Sequence, residues 1–129
     1  MYAGIDSNNE QIICQARPAN IRDPTLTEWI KSPMNPLISH PFSRDPSTAF
    51  QDDQNNYYLI YGYGTVDEGG QAVLFTSKDF VNWTYLHAIH SNHYDAFWEC
   101  PDIFNISNRL ILSTERFHLS PMISVNIHN

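Results

Sequence analysis

Several absences narrow the class of this protein before any motif is considered. Only two cysteines occur, Cys14 and Cys100, too few for a disulfide-stapled scaffold, and apolar neighbours mark each as a free buried thiol. Seven Lys and Arg stand against fourteen Asp and Glu, a net charge of −7. The chain therefore lacks the basic face that a nucleic acid or an anionic membrane would require. No apolar run approaches the roughly 18 residues of a membrane-spanning helix, so no membrane partner is expected. The residues after Met1 lack the basic start, apolar stretch and small-residue cleavage site of a secretory leader. Helical periodicity is nearly absent. The one candidate, Pro24 to Ile30 behind Asp23 as a cap, amounts to a turn or two.

What the chain does have is aromatic residues and punctuation. Three Trp, seven Tyr and seven Phe make 13% of its 129 residues, and 42% hydrophobic content excludes a disordered chain. Strands are expected at Tyr2–Ile5, Gln11–Ala16, Glu28–Lys31, Ser47–Gln51, Tyr57–Tyr61, Ala72–Thr76, Trp83–Leu86, Asp102–Ile106 and Arg109–Ser113. Turn clusters such as Asp6-Ser7-Asn8-Asn9 and Asp52-Asp53-Gln54-Asn55-Asn56 separate them, and Gly62, Gly64, Gly69 and Gly70 read as hairpin turns. The expectation is an all-β fold in one domain. Residues 116–129 show no usable period.

A repeat underlies the strands. Trp29 and Trp83, Asp45 and Glu99, and Phe50 and Phe104 are each 54 residues apart. A period near 50 with four strands suits a propeller blade. In such a fold equivalent acids on neighbouring blades converge near the central axis, where two carboxylates in a polar funnel are the basic requirement for glycoside hydrolysis. Arg44 beside Asp45 favours an ionised carboxylate and can bind sugar hydroxyls. Trp98 and Cys100 give Glu99 an apolar flank that suits a general acid. The same residues also allow an Asp-Pro turn with a structural Arg–Asp link, and a Glu paired with some Arg.

The strings Phe42-Ser43-Arg44-Asp45-Pro46-Ser47-Thr48-Ala49-Phe50 and Phe97-Trp98-Glu99-Cys100-Pro101-Asp102-Ile103-Phe104 resemble two signature segments of glycoside hydrolase family 32, the invertases and fructan-processing enzymes. Tyr2-Ala3-Gly4-Ile5-Asp6, the stretch from Trp29 to Leu37, and Thr76-Ser77-Lys78-Asp79-Phe80 with Trp83 are similar to plant-type members. The resemblance covers residues 1–115, taken as part of a catalytic β-propeller domain, and leaves 116–129 as an unmatched tail. It implies a five-bladed β-propeller of which about two blades are present. By the same resemblance Glu99 is the general acid/base, Asp45 is the transition-state stabiliser, Arg44 supports both, and Arg44, Asp45 and Trp98 bind substrate. The expected substrate is sucrose or a related fructoside, cleaved by a retaining mechanism without metal or cofactor. An extracellular, cell-wall or vacuolar location is implied by the resemblance alone.

The family's nucleophile is an Asp in a Trp-Met-Asn-Asp-Pro-Asn-Gly-like segment, and this chain has none. It is expected to begin partway through a second blade, cover a third and stop early in a fourth. The isolated chain is then inactive on sucrose, because a retaining reaction needs its nucleophile. Its open blade faces favour aggregation or association with the missing blades. A fructosyltransferase, a non-catalytic sugar-binding remnant and a partial gene product are the alternatives. Asp23 in Ile21-Arg22-Asp23-Pro24 repeats the Arg-Asp-Pro letters but is read as a turn or helix cap. His87, His90 and His93 with Asp95 have zinc-ligand chemistry, yet residues three apart alternate faces on a strand, and a polar loop is expected there. Two N-glycosylation triplets also occur, Asn82-Trp83-Thr84 and Asn105-Ile106-Ser107.

Overall fold

The structure, a computed structural model, describes residues 1–65, 67–92, 97–107, 109–116 and 123–124. Among these residues every regular element is a strand. None forms a helix long and apolar enough to cross a membrane.

The strands form four hydrogen-bonded sheets, of which the first two continue one another along the chain, giving three successive layers. In the first, β1 (Tyr2–Ile5) pairs with β2 (Gln11–Cys14), and β3 (Ala16–Pro18) resumes one residue later to pair with β4 (Trp29–Lys31). The middle sheet contains β5 (Ser43–Arg44), β6 (Phe50–Gln51), β7 (Tyr57–Thr65), β8 (Gly69–Ser77) and β9 (Trp83–Asn92), all antiparallel to their neighbours. Arg44 pairs with Gly62 and Phe50 with Tyr58, so β5 and β6 lie end to end along β7 as one interrupted strand. Ser47 spans the interruption: its N–H donates to the Ile60 carbonyl (2.8 Å) and its hydroxyl oxygen accepts from the Ile60 N–H (3.2 Å). The middle sheet is therefore four strands wide. In the third sheet β10 (Trp98–Ile106) pairs with β11 (Arg109–Arg116), which pairs with β12 (Ile123–Ser124).

The expected repeat is visible in this topology. Trp29 opens β4 and Trp83 opens β9, each the last strand of its sheet. The turns after β1 and β6 share one geometry. Asp6 Oδ1 accepts the N–H groups of Asn8 and Glu10, and Asp52 Oδ1 accepts those of Gln54 and Asn56. Asn9 (φ 64°) and Asn55 (φ 63°) take the left-handed position, which Asn tolerates better than most residues.

Strand alternation gives the middle sheet two buried faces. Leu59, Tyr61, Val73 and Phe75 pack toward Ile13 and Ile38, while Ile60, Ala72 and Leu74 pack against Trp98 and Leu112 of the third sheet. The sheets thus stack face to face, each covering its neighbour in the chain.

Four expectations are corrected here. Pro24 to Ile30 forms no helix: Asp23 Oδ1 accepts the Thr25 N–H (2.9 Å), Leu26 turns left-handed at φ 48°, and β4 follows. Asp23 is accordingly a turn residue. The four glycines lie within β7 and β8. Gly62 and Gly70 are needed there because Trp98 sits against them: an added Cβ would come within 2.0 Å of the Trp98 carbonyl oxygen at Gly62 and 2.2 Å of its Cδ1 at Gly70. His87 and His90 belong to β9, not to a loop, and His90 lies 5.3 Å from the Trp98 ring. His93 and Asp95 fall outside the described residues. Finally, Ile123–Ser124, within the supposedly patternless tail, adds a third strand beside β11.

Candidate active site

The two acids singled out by their spacing are carried by the leading strands of adjacent sheets. Asp45 follows β5 directly, in a left-handed conformation (φ 57°) that ends the strand before Pro46. Glu99 is the second residue of β10, just before an irregularity in its pairing with β11 between Glu99 and Asp102, where Cys100 is also left-handed (φ 47°). Such a bulge re-aims side chains at a sheet edge. Both backbones therefore leave regular strand geometry where their carboxylates are displayed.

Two direct links cross between the sheets at this point. Arg44 Nη1 donates to Glu99 Oε1 at 2.8 Å, and the two side chains are 38% and 31% exposed. The Cys100 N–H donates to Asp45 Oδ2 at 3.1 Å, with the Cys100 Sγ 3.7 Å from the same oxygen. Partial burial and the carboxylates of Asp45, Glu115 and Glu99 push the Cys100 thiol up, so it stays protonated beside Asp45 at neutral pH. The Arg44 guanidinium also lies 4.2 Å from the centre of the Phe97 ring, within cation–π distance. Thr114 of β11 donates its hydroxyl to the Glu99 carbonyl at 3.0 Å and holds that backbone in place.

This geometry revises three sequence readings. Arg44 serves Glu99 and not its chain neighbour Asp45, which leaves the strand in a left-handed turn. Cys100 is exposed instead of buried, and its backbone supplies the donor to Asp45. Trp98, expected to contact substrate, is fully enclosed at 0% exposure between the middle and third sheets, so its ring is a packing element. In the sequence Phe97 is only a letter of the motif, Gly62 reads as a turn, and nothing marks Thr114. A glycine inside an apolar strand was the only available sign, and it marks where β5, β7 and β10 meet. Among the described residues no group of three or more His, Cys, Asp or Glu is placed to hold a metal ion.

The arrangement is an acid displayed beside a cation and an acid held by a backbone donor, at the joint of two blade-like sheets. The family model for the glycosyl hydrolases family 32 N-terminal domain matches residues 1–128. The chain belongs to glycosyl hydrolase family 32. The match runs past residue 115, where the motif resemblance ended. Relatives include the insoluble β-fructofuranosidase isoenzyme CWINV3 of Arabidopsis thaliana, 40% identical over 116 residues, covering 83% of this chain and 20% of that protein. The cell wall β-fructofuranosidase of Pisum sativum is 37% identical over 123 residues, covering 88% of this chain and 22% of that protein. The crystal structure of fructan 1-exohydrolase IIa from Cichorium intybus superposes with a TM-score of 0.83 at 33% identity, over 90% of this chain and 26% of that one. A Glu-to-Gln variant of the same exohydrolase has been solved in complex with 1-kestose. The family 32 N-terminal domain is a β-propeller, and the three sheets are accordingly one whole blade flanked by parts of two others. The chain spans about a fifth of the length of the curated relatives it matches.

Proposed function

We propose that this family 32 chain supplies two of the three catalytic carboxylates of a β-fructofuranosidase that cleaves the fructosyl bond of sucrose or a related fructoside. The observation that carries the reading is the joint itself. Two acids 54 residues apart arrive at the leading strands of adjacent sheets, one bonded to Arg44 and the other to the Cys100 N–H. Glu99 gives a proton to the leaving glycosidic oxygen and later takes one from the incoming water. Asp45 accepts hydrogen bonds from fructosyl hydroxyls and opposes the positive charge that develops on the ring. Arg44 fixes where the Glu99 carboxylate points. The nucleophile comes from a segment outside these 129 residues, so the chain by itself is inactive on sucrose. Water is proposed as the acceptor, in keeping with relatives named as β-fructofuranosidases and exohydrolases. An extracellular, cell-wall location is proposed on the same basis.

The test is sucrose hydrolysis by the complete protein that carries this segment, with Glu99→Gln and Asp45→Asn. Each variant is expected to lose about 10²–10⁴-fold in kcat. Near-normal turnover in either one removes that residue from the mechanism.

A further inference from the structure

Both Asn-X-Ser/Thr triplets satisfy the acceptor pattern, yet the structure treats them differently. Asn82 closes the tight turn before β9. Its side-chain Nδ2 donates to Asp79 Oδ2 at 2.7 Å, and its backbone N–H donates to Asp79 Oδ1 at 2.7 Å. The Val81 N–H adds a further bond to Asp79 Oδ1 at 2.9 Å. The nitrogen that would carry a sugar is thus engaged by a carboxylate only three residues away. A turn so local closes without help from tertiary structure, and it competes for Asn82 even in a chain still emerging into the secretory compartment. Trp83, the middle residue of the same triplet, packs against Phe80 at 5.5 Å between ring centres and against the core of the middle sheet.

Asn105 has none of these ties. It lies near the end of β10, opposite Leu110, and the strand turns back to β11 immediately after Ile106. Asn105 and Ser107 are both exposed. Neither the Asn105 amide nor the Ser107 hydroxyl has a hydrogen-bond partner among the described residues. Ser107 takes a left-handed turn conformation (φ 51°), which places this acceptor hydroxyl at a hairpin tip. Six residues of strand separate Asn105 from Glu99, about 20 Å at the usual rise. A bulky, solvated group fits there without covering the Arg44–Glu99 joint.

We propose that Asn105 is the N-glycosylation site of this chain and that Asn82 stays unmodified. The inference rests on the extracellular reading only for whether the native protein meets the modifying machinery. The transfer forms a bond from Asn105 Nδ2 to the anomeric carbon of a lipid-diphosphate-linked oligosaccharide. The carbon–oxygen bond to the diphosphate breaks, the amide nitrogen loses one proton, and the lipid diphosphate leaves.

The chain is produced in plant cells behind a secretory leader, which makes the outcome independent of its native location. Total cell and medium fractions are compared before and after an N-glycan-removing endoglycosidase. One glycan's mass is expected on the wild type, absent from Asn105→Gln and from Ser107→Ala, and retained by Asn82→Gln. Because transfer precedes folding, a poorly folded variant still reports in the cell fraction. A shift that persists in Asn105→Gln, disappears in Asn82→Gln, or is absent from the wild type overturns the assignment, and so does a second glycan that Asn82→Gln removes. Glycan on the led chain but none on the protein purified from its source would instead remove the extracellular reading.

Discussion

Arg44 shows how little a neighbouring letter says about a partner. It precedes Asp45 in sequence but bonds Glu99 across the joint of two sheets. With its side chain 38% exposed, the ion pair is screened and adds less than about 1 kcal/mol to stability. Its value lies in orientation. Arg44→Ala is therefore expected to leave the urea midpoint of the complete protein nearly unchanged while lowering kcat/KM about 10²-fold, as misplacement of a reacting group does. Equal effects on midpoint and turnover would make Arg44 merely structural. Asp79 is a residue of the opposite kind, tied to stability. Asn82 and Val81 N–H groups, the Asn82 amide and the Ser77 hydroxyl hold its carboxyl well below the usual carboxylate range. A carboxyl depressed by folding contributes stability above its unfolded value, near 3.9, and loses it as pH falls toward the folded value. Asp79→Asn should consequently show a shallower loss of urea resistance between pH 5 and pH 3 than the wild type. Parallel curves for the two proteins would dismiss this role.

The strands themselves were largely legible, for one reason: alternation and turn chemistry are local. β1 matches the expected Tyr2–Ile5, β4 is one residue shorter than expected, and β7, β8, β9, β10 and β11 differ mainly by longer ends. The misses share a cause as well. β5 is two residues long and exists only because β7 offers it a partner. Gly62 and Gly70 imitate turn residues, yet they are strand positions cleared for a tryptophan from the next sheet. Gly62 also sits opposite Arg44 in the ladder, and its missing Cβ would lie 3.3 Å from the Glu99 Cα. Gly62→Ala should thus destabilise by about 1–3 kcal/mol through overpacking and separate Glu99 from Arg44. Gly4→Ala, whose added Cβ meets only side-chain atoms, the Cys14 Sγ at 3.1 Å and the Ile12 Cγ1 at 3.4 Å, should cost less. Urea titration of both variants checks the order, and reversal would mean that β10 can move away from β7 freely.

At the scale of the molecule, one blade is protected on both faces and its two neighbours are not. Ile5 (60% exposed) and Trp29 (54%) on the first sheet stand open, as does Ile106 (55%) on the third. An arc of propeller with such faces lacks the closure that hides them in a ring. The isolated chain is expected to self-associate and to bind a hydrophobic dye, as read by light scattering and fluorescence. A monomer with a cooperative unfolding transition well above room temperature would refute that expectation.

By itself the sequence determined the all-β class, the repeat and the family, and it singled out the two acids. Each of these is written in local periodicity or in short strings, where covalent spacing already sets geometry. The tertiary structure alone decided which cation meets which carboxylate, why Trp98 is enclosed and why Cys100 is displayed. These are contacts between residues far apart in the chain. They exist only once one sheet is laid against the next.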